Sequence, residues 1–171
     1  MEIVPFAPDD LLSSLPQFVS LLQDTVNTGA SIGFLPPLDT HTAEVYWRSV
    51  ASDGTILLAA LDGGRVVGSV QLALAGKANA RHRAEVQKLM VLTECRGRGL
   101  GSRLMVRIEE IAVGHRRSLL VLDTRRGDIS ESLYRKMGYI EAGVIPEFAQ
   151  SANGQLHDTV LFYKQLRYEE R

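Results

Sequence analysis

The 171 residues are 45% hydrophobic and 23% charged with a formal net charge of −1, which predicts one globular domain spanning 1–171 and excludes general affinity for nucleic acid. No apolar run approaches the ~18 residues of a membrane span, and no basic-then-apolar segment opens the chain, so a cytoplasmic protein without a membrane partner is expected. The one cysteine, Cys95, excludes an intramolecular disulfide and a cysteine-built metal cluster.

In chain order, Glu2 to Phe6 predicts a short strand. Asp9 and Asp10 offer an N-cap for a helix to about Asn27, with Pro16 marking either its true start or an interruption. The stretch 28–37 holds two glycines and a double proline and predicts a loop, followed by a helix from Thr40 to Val50. Ile56 to Leu61 and Val66 to Ala75 flank Asp62-Gly63-Gly64-Arg65 as a β-hairpin. Ala84 to Leu92 predicts a strand whose alternation puts Glu85, Gln87, Leu89 and Val91 on one side.

Leu104, Met105, Ile108, Ile111 and Ala112 then repeat as one helix face. Leu119 to Thr124 is an apolar strand ending in polar residues. Asp128 and Glu131 have the spacing of a capping box, opening a short helix that ends at Gly138. Tyr139 to Phe148 and His157 to Leu166 pair around the turn at 151–154. The order β-α-α-β-β-β-α-β-α-β-β implies a mixed sheet with helices on its faces, an α/β fold.

Charge is uneven along this order. Residues 1–60 hold seven acids and one base, whereas residues 81–107 hold seven bases and two acids. The basic segment forms a local footprint for an anion such as a phosphate-bearing cofactor. The acidic segment suits either a cationic amine acceptor or a solvated surface.

Arg96-Gly97-Arg98-Gly99-Leu100-Gly101-Ser102 lies between the strand at 84–92 and the helix that follows. Alternating glycines let backbone N–H groups converge where side chains would obstruct a ligand, and a helix N-terminus favours an anion. The spacing lacks the Lys-Ser/Thr ending of a P-loop, and its third glycine comes one residue early for a dinucleotide fingerprint.

The spacing fits Arg/Gln-x-x-Gly-x-Gly/Ala, and so resembles the pyrophosphate loop of the GNAT family of N-acetyltransferases. Leu133-Tyr134-Arg135-Lys136-Met137-Gly138-Tyr139 is similar to the Leu-Tyr-x-x-x-Gly-Phe helix end of that family. The segments Gly29 to Phe34, Arg83 to Leu92 and Leu122-Asp123-Thr124 resemble tabtoxin-resistance-type acetyltransferases in particular. The resemblance implies the GNAT fold, a central mixed, splayed sheet flanked by helices, with the acetyl-CoA core at about 84–140. It implies acetyl-CoA as donor and direct transfer to the primary amine of a small molecule, with amino-acid-like toxins or antibiotics among the candidates. Protein or peptide N-terminal acetylation is the alternative, and a non-catalytic CoA-binding module is a reading of another class.

Site residues follow from the same resemblance. Residues 96–102 would hold the pyrophosphate, and backbone groups of Leu89, Met90 and Val91 the pantetheine arm and thioester carbonyl. Tyr134 matches the family's general acid for the departing thiolate; a phenol near pKa 10 can serve without being ionised itself. The other reading of Tyr134 is an amphipathic core tyrosine, whose hydroxyl would still need a partner.

Glu85 lies eleven residues before Arg96, the offset of the general-base glutamate in the family's histone acetyltransferases. The other reading of Glu85 is an ion pair with Lys88 or Arg83. Asp123 ends its strand as a candidate to bind the amine, share the base role or cap the next turn. Phe34 and Gln87 are expected on the acceptor side, where residues 28–47 shape the pocket.

Two positions depart from the family pattern. Gly127 stands where an Asn often contacts the coenzyme, and Ser130 where a small Ala is usual. Cys95 is expected to be a structural thiol beside the phosphate loop. The four histidines show no metal-ligand spacing, so no metal is expected. A monomer or a homodimer fits equally.

Overall fold

A computed structural model describes residues 1–166. The chain runs β1 (Glu2–Phe6), α1 (Pro8–Ser13), α2 (Leu15–Asn27), α3 (Thr40–Ser52), β2 (Ile56–Asp62), β3 (Arg65–Leu74), β4 (Arg83–Val91), α4 (Leu100–Gly114), β5 (Leu119–Arg125), α5 (Ile129–Lys136), β6 (Ile140–Gln150) and β7 (Leu156–Gln165). The strands form one mixed sheet in the order β1-β2-β3-β4-β5-β7-β6, in which only β4 and β5 run parallel. The mixed α/β architecture expected from the element order is therefore present.

The first helical stretch is two helices. Asp9 and Asp10 sit in the first turn of α1 rather than at its cap, where the Asp10 carboxylate accepts from the Ala7 backbone N–H at 3.3 Å. The chain breaks at Ser14 because the Pro16 ring would strike the carbonyl four residues back in a continuous helix. Pro16 is tolerated in the first turn of α2, where its missing N–H has no helical acceptor anyway. From there Leu15, Val19, Leu22 and Val26 keep one buried stripe.

Asp39 caps α3 through the Thr42 backbone N–H at 2.8 Å and the Thr42 hydroxyl at 2.6 Å. Trp47 of α3 is fully buried, and its indole N–H donates to the Phe18 carbonyl at 2.8 Å. Burying a ring of this size contributes roughly 2–3 kcal/mol, and the hydrogen bond leaves no polar atom orphaned.

The two sheet faces carry different helices. Gln71 of β3 faces α3, where its amide meets the Tyr46 hydroxyl at 2.8 Å. Gly68, of opposite pleat, faces α4 (a Cβ there would lie 2.9 Å from the Met90 carbonyl oxygen and 3.2 Å from Leu104 Cδ1). Since backbone cannot yield as a side-chain tip does, Gly68→Ala is expected to destabilise the protein by about 1–3 kcal/mol. A urea midpoint equal to the wild type would contradict this packing.

One expectation about β4 is corrected. Gln71 pairs with Gln87, but Ser69 pairs with Met90, so three residues of β4 span two of β3. The extra residue makes a bulge at Lys88, which adopts φ +51°. Side chains directly opposite across a sheet share a face, so Glu85 and Gln87 share theirs with Met90. Leu89 and Val91 do not join them.

The predicted capping box of α5 is also absent. The Asp128 carboxylate is bound by Arg125 at 2.8 Å instead of capping the helix, and Glu131 accepts from the Gly127 N–H at 2.8 Å. A nearby guanidinium outcompetes a backbone amide for the carboxylate.

Candidate active site

Beyond Glu85, ahead of the bulge, β4 and β5 separate. Their pairing is confined to Arg83↔Leu119, Ala84↔Leu120 and Glu85↔Val121. Beyond Glu85, the β4 edge faces a cavity of about 1000 Å³ instead of a neighbouring strand. Leu89, Met90 and Val91 line it, leaving backbone groups of this edge open to a ligand.

The glycine loop closes one end of the cavity. Gly99 is the N-cap of α4 at φ +74°, a conformation that a Cβ strains, and no side chain caps the helix. The first intrahelical bond in this turn is Arg103 N–H to Gly99 O at 3.1 Å, so the N–H groups of Leu100, Gly101 and Ser102 have no helical acceptor. These three residues, with Gly97 and Gly99, line the cavity. Such an arrangement can hold an anion on backbone N–H groups alone.

The arginines contribute less than their number suggested. Arg96 lines the cavity, but its guanidinium is tied to the Val91 carbonyl at 3.0 Å and the Thr28 hydroxyl at 3.2 Å. Arg98 is exposed and lies outside the cavity lining. Arg103 donates to the Met1 carbonyl and Arg107 pairs with Glu110. Cys95 is buried under the loop and touches the cavity.

Two carboxylates meet at the far end of the split. Val121 pairs directly with Glu85, and Asp123 is the next residue of the same pleat, so both side chains share a sheet face. Both line the cavity together with Gln87. Burial raises the Asp123 carboxyl above its ordinary range, the Glu85 charge raises it further, and Lys88 opposes both. Burial likewise lowers the Lys88 ammonium, against the pull of Asp123 and Glu85.

Tyr134 enters from the opposite sheet face on α5. It is 6% exposed, packs against Tyr139 and Phe162 at ring-centroid distances of 5.9 and 6.1 Å, and lines the cavity. Burial, with the Asp123 charge adding to it, pushes its phenol up to about 12. The phenol therefore stays protonated throughout the neutral range. Lys164 of β7 steadies α5 by bonding the Met137 carbonyl at 2.9 Å and Glu109 of α4 at 2.7 Å.

The loop 28–37 covers the side of the cavity holding Phe34, whose ring meets Tyr46 edge-on at 5.2 Å. Three cations reach it from separate elements: Arg96 at Thr28, Arg125 at the Gly29 carbonyl and Lys88 at the Ile32 carbonyl. Sequence reasoning missed Arg125 as a cavity residue and gave Lys88 only as a partner for Glu85. A lysine within a strand carries no local signal that a bulge will redirect it. Gly127 does not line the cavity, but Ser130 does, and its hydroxyl meets that of Thr124 at 2.7 Å. His157 lies outside the lining.

Among the described residues no helix is long and apolar enough to cross a membrane, and no group of three or more His, Cys, Asp or Glu could hold a metal.

The family described as Acetyltransferase (GNAT) matches residues 23–139, more than half of the chain. Among solved structures, a ribosomal-protein-alanine N-acetyltransferase from Brucella melitensis is 23% identical with a TM-score of 0.81, over 97% of this chain and 100% of that one. A protein proposed to be a phosphinothricin N-acetyltransferase is 21% identical with a TM-score of 0.82, over 98% and 100%. The yncA protein of Salmonella typhimurium, solved with its cofactor acetyl-CoA, is 18% identical with a TM-score of 0.79, over 100% and 96%. At such identities the likeness establishes a shared fold.

Proposed function

The chain belongs to the GNAT acetyltransferase family, and from that membership we propose that it moves acetyl from acetyl-CoA to the primary amine of a small molecule. The observation that carries this reading is one cavity joining a backbone anion cradle, an open strand edge, two carboxylates and a buried phenol. The uncapped α4 N-terminus and the glycines of the loop fit a pyrophosphate, and the β4 edge beyond Glu85 fits an amide-bearing arm. When bound, acetyl-CoA supplies an activated acetyl group and a thiolate leaving group.

The residues of the chain then divide the proton work. An amine arrives as an ammonium and must lose a proton before its nitrogen can attack. Glu85 and Asp123 are placed to accept that proton, directly or through water, and their shared negative charge attracts the ammonium. Which of the two holds the proton is a property of the pair. Tyr134 donates to the departing sulfur from the other face of the sheet, and its raised pKa keeps the donor proton in place. Backbone N–H groups of Leu89 and Val91 orient the thioester carbonyl. Phe34 and Gln87 border the acceptor.

Tyr134→Phe is accordingly expected to lower kcat by about 100-fold with acetyl-CoA affinity within about twofold, since general acids contribute ~10²–10⁴. Single-turnover rates and coenzyme titration check this, and an unaltered rate removes the acid role.

A small acceptor is favoured over a peptide because the loop 28–37 is tied down across the cavity by three cations. The tabtoxin-resistance likeness and the proposed phosphinothricin enzyme both suit an amino-acid-like amine. The Brucella structure keeps peptide N-terminal acetylation as the second reading. Thiol release from acetyl-CoA against a panel of small amines, amino-acid toxins and short peptides decides between them. Turnover with small amines supports the proposal, and turnover with peptides alone overturns it. Tight acetyl-CoA binding with no turnover of any amine would identify a CoA-binding module.

A further inference from the structure

Lys88 is the one non-glycine residue of β4 with a positive φ, +51°, and it occupies the bulge. A side chain in that conformation is strained by roughly 1–2 kcal/mol and persists where its surroundings over-determine it. Here they do. The bulge turns Lys88 out of the sheet towards the loop 28–37, where its ammonium donates to the Ile32 carbonyl at 2.5 Å. Its Nζ lies 5.7 Å from the centroid of the Phe34 ring and 5.9 Å from that of Tyr46. A Cβ on Gly33 would come within 3.3 Å of the same Nζ, so the loop closes tightly around it.

An ammonium has three donors, and the Ile32 carbonyl takes one. The titratable groups that face it are Glu85 from β4, Asp123 from β5 and the Tyr46 phenol from α3, while the loop 28–37 contributes none. Tyr46 is held neutral, its phenol pushed up to about 12 by burial. The charge that Lys88 balances is therefore that of the carboxylate pair, which lines the same cavity and acts on it through space, with no direct ion pair among the described residues.

We propose that Lys88 is a positioning residue that latches the loop 28–37 onto the bulge of β4 and holds a fixed counter-charge beside Glu85 and Asp123. The counter-charge half rests on the pair acting as the base, as proposed above. Without a cation there, two like charges on one sheet face would retain a proton more strongly. The latch half concerns the free protein and depends on no activity.

The test compares Lys88→Met, which keeps length and loses charge and donors, with Lys88→Arg, which keeps both. In Lys88→Met the acid limb of kcat/KM for the amine moves to higher pH, and so does the Asp123 carboxyl titration followed by NMR. Backbone amides of residues 29–35 exchange with deuterium at least about tenfold faster, the loss of one charged hydrogen bond. Lys88→Arg returns the titration towards the wild type. Acetyl-CoA affinity stays within about twofold, because Lys88 is outside the glycine loop. An unchanged titration or unchanged loop exchange in folded Lys88→Met overturns the proposal. If the wild type turns over no amine, the assigned function fails by itself, and the exchange and NMR titration still decide the role of Lys88.

Discussion

The double variant Glu85→Gln/Asp123→Asn is expected to lose about 10³-fold or more in kcat/KM for the amine, with acetyl-CoA affinity within about twofold. Each single variant loses less, because the remaining carboxylate can take the proton over. The two singles differ in their pH dependence. Burial raises Asp123 first and the Glu85 charge raises it further. Glu85→Gln removes that second contribution, so the acid limb of the profile moves to lower pH. Asp123→Asn removes the raised group altogether, and with it the part of the limb that this group sets. Initial rates across pH for the wild type and all three variants make the comparison. A double variant with the wild-type rate and profile would show that water alone deprotonates the amine.

The second large effect is expected at the glycine loop. Gly99→Asp places a carboxylate at the α4 N-terminus, where a phosphate is proposed to sit. The helix dipole favours that carboxylate, which then competes for the free N–H groups and repels the phosphate, and acetyl-CoA binding is expected to weaken by about 100-fold. Gly99→Asn is the control, because asparagine tolerates the left-handed conformation and carries no charge. It should retain most of the affinity. Arg98→Glu should cost less than Gly99→Asp, since Arg98 lies outside the cavity lining, and its effect should fade as salt is raised. Calorimetric titration with acetyl-CoA, alongside thermal melts, separates lost binding from lost folding. Full affinity in Gly99→Asp would remove the phosphate loop from the site.

What the sequence made legible is local. The glycine loop could be recognised because the need for positive φ and for free helix N–H groups is written in consecutive residues, 96–102. The same holds for the buried stripe of α4 and for the hairpin of β2 and β3. Tyr134 stood out through its spacing from Gly138. Glu85 and Asp123 could each be nominated, because polar residues in apolar strands need a use or a partner.

Errors arose where a second group or residue took the place a local pattern assigned. Asp128 had the position of a cap, but Arg125 took its carboxylate. Asp9 and Asp10 resembled a cap, but the helix began a residue earlier at Pro8. The alternation of β4 failed at Lys88, because a bulge is set by how one strand registers on another.

The sequence by itself therefore determined the mixed fold through the order of its elements, and it located the glycine loop and the polar residues of β4 and β5, since each is written in a local pattern. The tertiary structure alone decided that β4 and β5 part beyond Glu85, opening the cavity into which two carboxylates from one face and a phenol from the other both project. It also decided that the Arg96 guanidinium ties the fold together while the cradle is backbone, and that Lys88 leaves its strand for the loop 28–37. Register and strand separation are fixed by partners farther along the chain, such as Gln71 for Gln87 and Leu119 for Arg83, and the place of Lys88 by Ile32, 56 residues away. No pattern along a single segment records them.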